Sequence, residues 1–288
     1  MEWLKCKTCG GQLEFNGSGS LECTFCGSRT FMSDADFRGH EEFRKKLLSY
    51  YKAEADKKEF DYSGDTLWEC RGTSSFTTDS GQQVTVEYME KYPLDGGMIY
   101  LAKESVVYSF NNHRQADLFL AGLGRLEFPE ADNKLSRCFP SVKQEIYLQE
   151  GGTLLVAERR PHFYPAEMFA PFRSEHLAWV ISRMENICCT LTYSGIEHGD
   201  ITPSSVWINP VTHEGALFGD WRKVRTLRGY TDLTALRRTA IELAQDTSNP
   251  RELYTFLNSA PRRDAFDDFA AWDQVIEKGF GGHRFVKM

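Results

Sequence analysis

Half of the eight cysteines in this chain fall before residue 27, and they fall as two matching knuckles, Cys6-Lys7-Thr8-Cys9-Gly10 and Cys23-Thr24-Phe25-Cys26-Gly27. In each knuckle two thiols face one point across a tight turn, and the glycine that follows permits the positive φ the turn needs. Four soft thiolates gathered in this way match a tetrahedral site with bonds of about 2.3 Å, the closed arrangement typical of structural zinc. A redox dithiol would need a thioredoxin-like surround, which the sequence lacks. Disulfides need an oxidising compartment, and Met1-Glu2-Trp3-Leu4-Lys5 lacks the layout of a secretion signal. Cys6, Cys9, Cys23 and Cys26 are therefore the expected metal ligands. Because they fill every position, no water is left to activate, and the zinc is expected to be structural.

Between the knuckles, Gly11 to Phe15, Asn16 to Ser20 and Leu21 to Glu22 read as strand, turn and strand. Residues 1–32 thus have the organisation of a zinc ribbon, a unit too small to fold without the free energy of metal binding. Cys70, Cys138, Cys188 and Cys189 follow no such spacing and read as small apolar packing residues. Ser33-Asp34 then caps a helix carrying Phe37, Phe43, Leu47, Leu48, Tyr50 and Tyr51 on one side, predicted to run to about Lys57. Residues 33–60 form a helical linker, and Asp61-Tyr62-Ser63-Gly64-Asp65 marks the boundary that follows.

Composition sets the outer limits. With 288 residues, 41% hydrophobic and 26% charged, the chain is long enough for a two-lobed globular unit beyond the ribbon. A net charge of -7 argues against a broad nucleic-acid or anionic-membrane footprint. No run approaches the 18 or so apolar residues of a membrane span, so the expected location is the cytoplasm.

From residue 61 to 160 short strands dominate: Val84 to Tyr88, Met98 to Ala102, Val106 to Phe110, Val142 to Leu148 and Thr153 to Ala157, with one helix from His113 to Leu126. Residues 161–288 are mainly helical, and the predicted class is α+β in two lobes. The sharpest motif follows a helix from Ser174 to Leu191. It reads His198-Gly199-Asp200-Ile201-Thr202-Pro203-Ser204-Ser205-Val206, and an apolar strand later delivers Leu217-Phe218-Gly219-Asp220-Trp221-Arg222. A further helix begins near Asp232. This order of helix, loop, strand and helix resembles the protein-kinase fold.

The resemblance implies that Asp200 positions the accepting hydroxyl, that Asp220 binds magnesium and that Asp232 anchors the loop. It also implies a nucleotide between the lobes, with ATP and Mg2+ as cofactors beside the zinc. Several positions depart from the family pattern. Ser205 stands where the second metal ligand is an Asn, Thr202 where protein kinases keep a lysine, and Gly199 where an Arg precedes the catalytic Asp. Leu94-Asp95-Gly96-Gly97 resembles the phosphate-covering turn without its full glycine set. Ser109 aligns with the ATP-binding lysine, Lys103 on the neighbouring strand is its candidate replacement, and Asp117 is the match for the lysine's Glu partner. The backbone of Glu158 to Arg160 matches the hinge that meets adenine. Only nine residues separate Trp221 from Thr231, too few for a peptide-binding activation segment.

These departures give a leading expectation of a pseudokinase, a binding or regulatory scaffold with a protein partner and weak or absent phosphoryl transfer. The alternative is an atypical ATP-dependent kinase, acting on protein or on a small molecule through Asp200 and Asp220. The Trp after the metal Asp, shared with small-molecule kinases of related fold, keeps this reading open. A third reading, nucleic-acid adaptation through Arg222-Lys223-Val224-Arg225-Thr226-Leu227-Arg228, is disfavoured because such a run is more often a solvated face.

Overall fold

The computed structural model of the chain describes residues 6, 13–15, 20–23, 25–27, 29–31, 34–55, 67–129, 134–244, 249–284 and 286. Strands β1 (Leu13–Phe15), β2 (Ser20–Cys23) and β3 (Arg29–Phe31) form an antiparallel sheet in that order. Leu13 pairs with Cys23, so the hairpin expected between the knuckles is in place. The third strand, after the second knuckle, is an addition to the sequence reading. Helix α1 (Asp34–Ala55) follows; its expected end near Lys57 lies outside the described residues. Phe43, Leu47 and Tyr51, four residues apart, form its buried stripe.

Strands β4 (Gly72–Thr77) and β5 (Gln83–Tyr88) form a hairpin. The first lobe proper is built from β6 (Glu90–Leu94), β7 (Gly97–Leu101), β8 (Ser105–Phe110), helix α2 (His113–Leu123), β9 (Val142–Tyr147) and β10 (Thr153–Glu158). Its antiparallel sheet has the order β6-β7-β8-β10-β9. Alternation along β8 divides the two faces. Val106, Tyr108 and Phe110 face the main core with Ala116 and Phe119 of α2. Val107 faces the other way, where Val86 of the β4–β5 hairpin covers it with Tyr100 and Leu154. The Asn112 carboxamide caps α2 by accepting from Gln115 N at 3.0 Å, and the helix closes at Gly124, before the Leu126 expected from sequence.

The second lobe contains β11 (Tyr164–Pro165), α3 (Ser174–Tyr193), β12 (Ile196–Glu197), β13 (Val206–Asn209), β14 (Glu214–Leu217), β15 (Arg225–Thr226), α4 (Thr231–Leu243), α5 (Arg251–Asn258) and α6 (Ala265–Phe280). Helix α3 is its axis, with Leu177, Val180, Ile181, Met184 and Leu191 all buried. Trp272 of α6 is fully buried against it and donates to the Ser182 hydroxyl at 2.8 Å. A buried bidentate pair, Arg237 to Asp268 at 2.7 and 2.8 Å, joins α4 to α6.

Helix α1 touches both lobes. His40 Nδ1 lies 3.4 Å from the Glu90 carboxylate of β6. On the other side Phe43 packs on Tyr164 with ring centres 5.7 Å apart, Arg44 donates to the Ala170 carbonyl, and the Tyr51 hydroxyl is hydrogen-bonded to His162 Nδ1 at 2.8 Å. No helix among the described residues is long and apolar enough to cross a membrane.

Candidate functional site

The chain reverses after α3 at Gly195, whose φ is 67°, and the loop from His198 to Ser205 follows β12. Asp232, in the first turn of α4, holds this loop by accepting from His198 N at 2.6 Å and Gly199 N at 2.9 Å. Burial pushes the Asp232 carboxyl above the usual carboxylate range even though these two donors pull it down. Gly199 takes a φ of 76°, which suits a residue with no side chain. His198 is fully buried and packs edge-on to Trp221 at 4.5 Å. Burial lowers its pKa to about 4, outweighing the pull of Asp200 and Asp220, so at neutral pH it is an uncharged core residue.

The Ser205 hydroxyl donates to Asp200 O at 2.5 Å and accepts from Thr202 N at 2.8 Å, which closes the loop on itself. Asp200 Oδ2 accepts from Asp220 N at 2.9 Å, bringing the two carboxylates expected from sequence into one site. Both are already paired. Arg222 meets Asp220 with two parallel bonds, Nε to Oδ1 and Nη2 to Oδ2, each 2.8 Å. The side chains are only 10% and 5% exposed. Lys223 Nζ donates to Asp200 Oδ1 at 2.5 Å. Arg225 pairs with Glu197 at 2.7 Å, so three of the cations in the Arg222-to-Arg228 run are turned onto carboxylates of the protein.

Arg222 also reaches the first lobe. Its Nη2 donates to the Asp95 carbonyl at 2.7 Å, and its guanidinium lies 5.3 Å from the Phe110 ring centre. Asp95-Gly96 is a two-residue turn between β6 and β7, with Leu94 paired to Gly97. Gly96 has a φ of 65°, and a Cβ on Gly97 would meet the Ser109 carbonyl at 1.9 Å, so this glycine pair makes a tight hairpin that packs on β8.

The register of β8 changes the reading of the lysine position. Ser109 lies on the sheet face away from α2, and Tyr108 is the residue that points toward Asp220; its hydroxyl donates to Phe218 O at 3.1 Å. A shift of one residue transfers a side chain to the opposite face of a sheet. Lys103 is exposed in the turn between β7 and β8, at the other end of β7 from Gly97, about 16 Å along the strand. Asp117 is exposed on α2, whereas Gln115 faces the site. In the amide orientation that satisfies both its ends, Gln115 donates to Gly96 O at 3.1 Å and accepts from Arg222 at 3.2 Å. Sequence reasoning missed Gln115, Tyr108 and the roles of Arg222 and Lys223; the α2 register, counted from the Asn112 cap, was the available clue.

At the hinge the Glu158 side chain is exposed and pairs with Lys143 at 3.1 Å, and its N–H is bonded to Ser141 O at 3.0 Å. Arg159 N is bonded to Glu104 O at 2.9 Å, and its buried guanidinium lies over Tyr164 at 4.8 Å. Thus Asp200, Asp220 and Ser205 come together, while Lys103 and Glu158 lie elsewhere. A guanidinium and an ammonium of the protein itself sit on the two carboxylates, and a tyrosine lies beneath the sheet.

No family profile matches the sequence, and no curated protein matches it either. Solved structures do. The BubR1 kinase domain superposes with a TM-score of 0.50 at 11% identity, covering 82% of this chain and 93% of that one. The chain has a protein-kinase-like fold. Two further matches are the ROP18 kinase domain in complex with AMP-PNP and sucrose (TM-score 0.49, 13% identity, 84% of this chain and 95% of that one) and vaccinia related kinase 3 (0.45, 12%, 84% and 85%).

Outside this kinase-like fold, the Sγ atoms of Cys6, Cys23 and Cys26 lie within 4.8 Å of one another. Cys6 and Cys26 are 3.5 Å apart, far beyond a disulfide bond and close to the edge of about 3.8 Å expected for a sulfur tetrahedron around zinc. Phe25 N and Cys26 N both donate to Cys23 Sγ, at 3.4 and 3.5 Å, as suits a thiolate. Gly27 has the positive φ, 70°, expected after the second ligand. The donors fit a zinc ion; Cys9 lies outside the described residues.

Proposed function

We propose that this chain is a kinase-fold binding or regulatory scaffold, tethered to a structural zinc ribbon, in which phosphoryl transfer is weak or absent. The observation that carries the reading is the pairing of Arg222 with Asp220 and Lys223 with Asp200. Phosphoryl transfer depends on positioned metal ions and on cations that neutralise the phosphates. Here the metal carboxylates are neutralised from within, and the strand residue aimed at them is Tyr108. The short path from Trp221 to α4, used up by a 3-10 turn and the two-residue strand β15, supports a protein partner that does not dock as a kinase substrate. Cys6, Cys9, Cys23 and Cys26 would hold the zinc, which supplies folding free energy to the ribbon.

Calorimetric titration of ATP into the zinc-loaded protein, with and without MgCl2, tests this directly. The expected result is no binding heat at millimolar ATP in either case. Micromolar, magnesium-dependent binding that Asp220→Ala abolishes would instead establish the alternative, an atypical kinase using Asp200 and Asp220.

A further inference from the structure

We infer that Arg222 is an interlobe latch, a side chain that holds the two lobes closed by occupying the space a metal-bound phosphate chain would need. The inference rests on the non-catalytic reading above and adds a mechanical role to it. One guanidinium makes contacts in three directions. Two of its nitrogens bind the Asp220 carboxylate in the second lobe, Nη2 also donates to Asp95 O in the β6–β7 turn, and Nη1 meets the Gln115 amide of α2. Gln115 in turn donates to Gly96 O, so turn, helix and metal-site carboxylate form one closed network.

The planar fork of arginine suits this job. Its donors lie in fixed directions, and a lysine in its place would supply a point charge without the bridge. The guanidinium itself is largely buried, although Asp95 of the turn it reaches is exposed. Phe110 lies beside the guanidinium, and Gly122 of α2 comes so near the Trp221 backbone that a Cβ there would meet Trp221 O at 2.0 Å. The turn that would cover a phosphate chain is therefore tied, through Arg222, to the carboxylate that would bind its metal. Opening it means breaking the two bonds that the charged guanidinium sends to the first lobe, to Asp95 O and to Gln115, so this part of the cleft is expected to exchange with solvent as one cooperative unit.

Hydrogen exchange on the zinc-loaded full chain tests the latch. In Arg222→Gln, amides of β7 and of α2 are expected to exchange at least about tenfold faster, while those of α3 and α6 keep their protection. Arg222→Lys is expected to behave like Arg222→Gln, because charge alone does not bridge. Unchanged exchange in β7 and α2 in both variants overturns the latch and leaves the non-catalytic reading standing. If Arg222→Gln does not fold, Gln115→Ala removes only the α2 arm: faster exchange confined to the β6–β7 turn and α2 supports the latch, and unchanged exchange there overturns it. The same measurement on the unaltered protein with Mg·ATP separates the two ideas. Added protection at the 198–205 loop would refute the non-catalytic reading.

Discussion

Glu185, midway along α3, is fully buried beside Asp268. Burial, reinforced by the Asp268 charge, raises its pKa from 4.5 to about 9, so the folded protein keeps this acid neutral. The unfolded chain releases the proton near pH 4.5 and the folded one near 9. Between those values the folded state holds more protons, and stability must fall as pH rises, by at most about 1.4 kcal/mol per pH unit. Below pH 6.5 His198 and His213 act in the opposite direction, since burial lowers both to about 4 and folding keeps them neutral. The window from about pH 6.5 to about 7.5 isolates the glutamate, because above it Cys138, Cys188 and Cys189, whose thiols burial pushes up, add a slope of the same sign. Urea denaturation across it should show stability declining in the natural protein and nearly flat in Glu185→Gln; an equal slope in both would dismiss the assignment.

At the scale of elements, Gly122 sets helix propensity against packing. Alanine in a helix interior is better than glycine by about 1 kcal/mol and in the last turn, where Gly122 lies, by less, yet on α2 its Cβ would run into Trp221 O, a backbone atom that no rotamer change can move. Gly122→Ala is expected to destabilise by about 1–3 kcal/mol net, and a stabilised variant in chemical denaturation would mean that the two elements part easily. Much of the element layout was legible in sequence. The alternation in Val84 to Tyr88 and Val106 to Phe110 announced strands, and α3 was plain from its apolar periodicity. Strand β4 escaped notice because Thr73, Ser74 and Ser75 are polar, and β6 because it contains Pro93, a residue suited to the sheet edge where it lies. The loop, Asp200, Asp220 and Asp232 were readable because their spacing is local. The Arg222 and Lys223 pairings were not, because their directions depend on a 3-10 turn and on a hairpin over a hundred residues earlier. The slip between Ser109 and Tyr108 has the same origin: a single residue of register decides which face a side chain occupies.

For the molecule as a whole, zinc is expected to govern the ribbon and leave the lobes intact. Native mass spectrometry should find one zinc per chain, lost in Cys23→Ser. The unfolding transition reported by Trp207, Trp221 and Trp272, all buried in the second lobe, should stay in place. A joint collapse of both signals would mean that the ribbon is part of the lobes' own stability. The reason to expect independence is α1, which has its own buried stripe against both lobes. That same helix imposes an order on biosynthesis. It leaves the ribosome early, but Tyr51 must wait for a partner 111 residues downstream, and Arg44 for one 126 residues downstream. At roughly 5–20 residues per second, its contacts with the second lobe cannot form until roughly 6–25 s after it is made. The nascent protein therefore spends that interval with the second-lobe side of an amphipathic helix uncovered, and helix and second lobe can dock only late in synthesis.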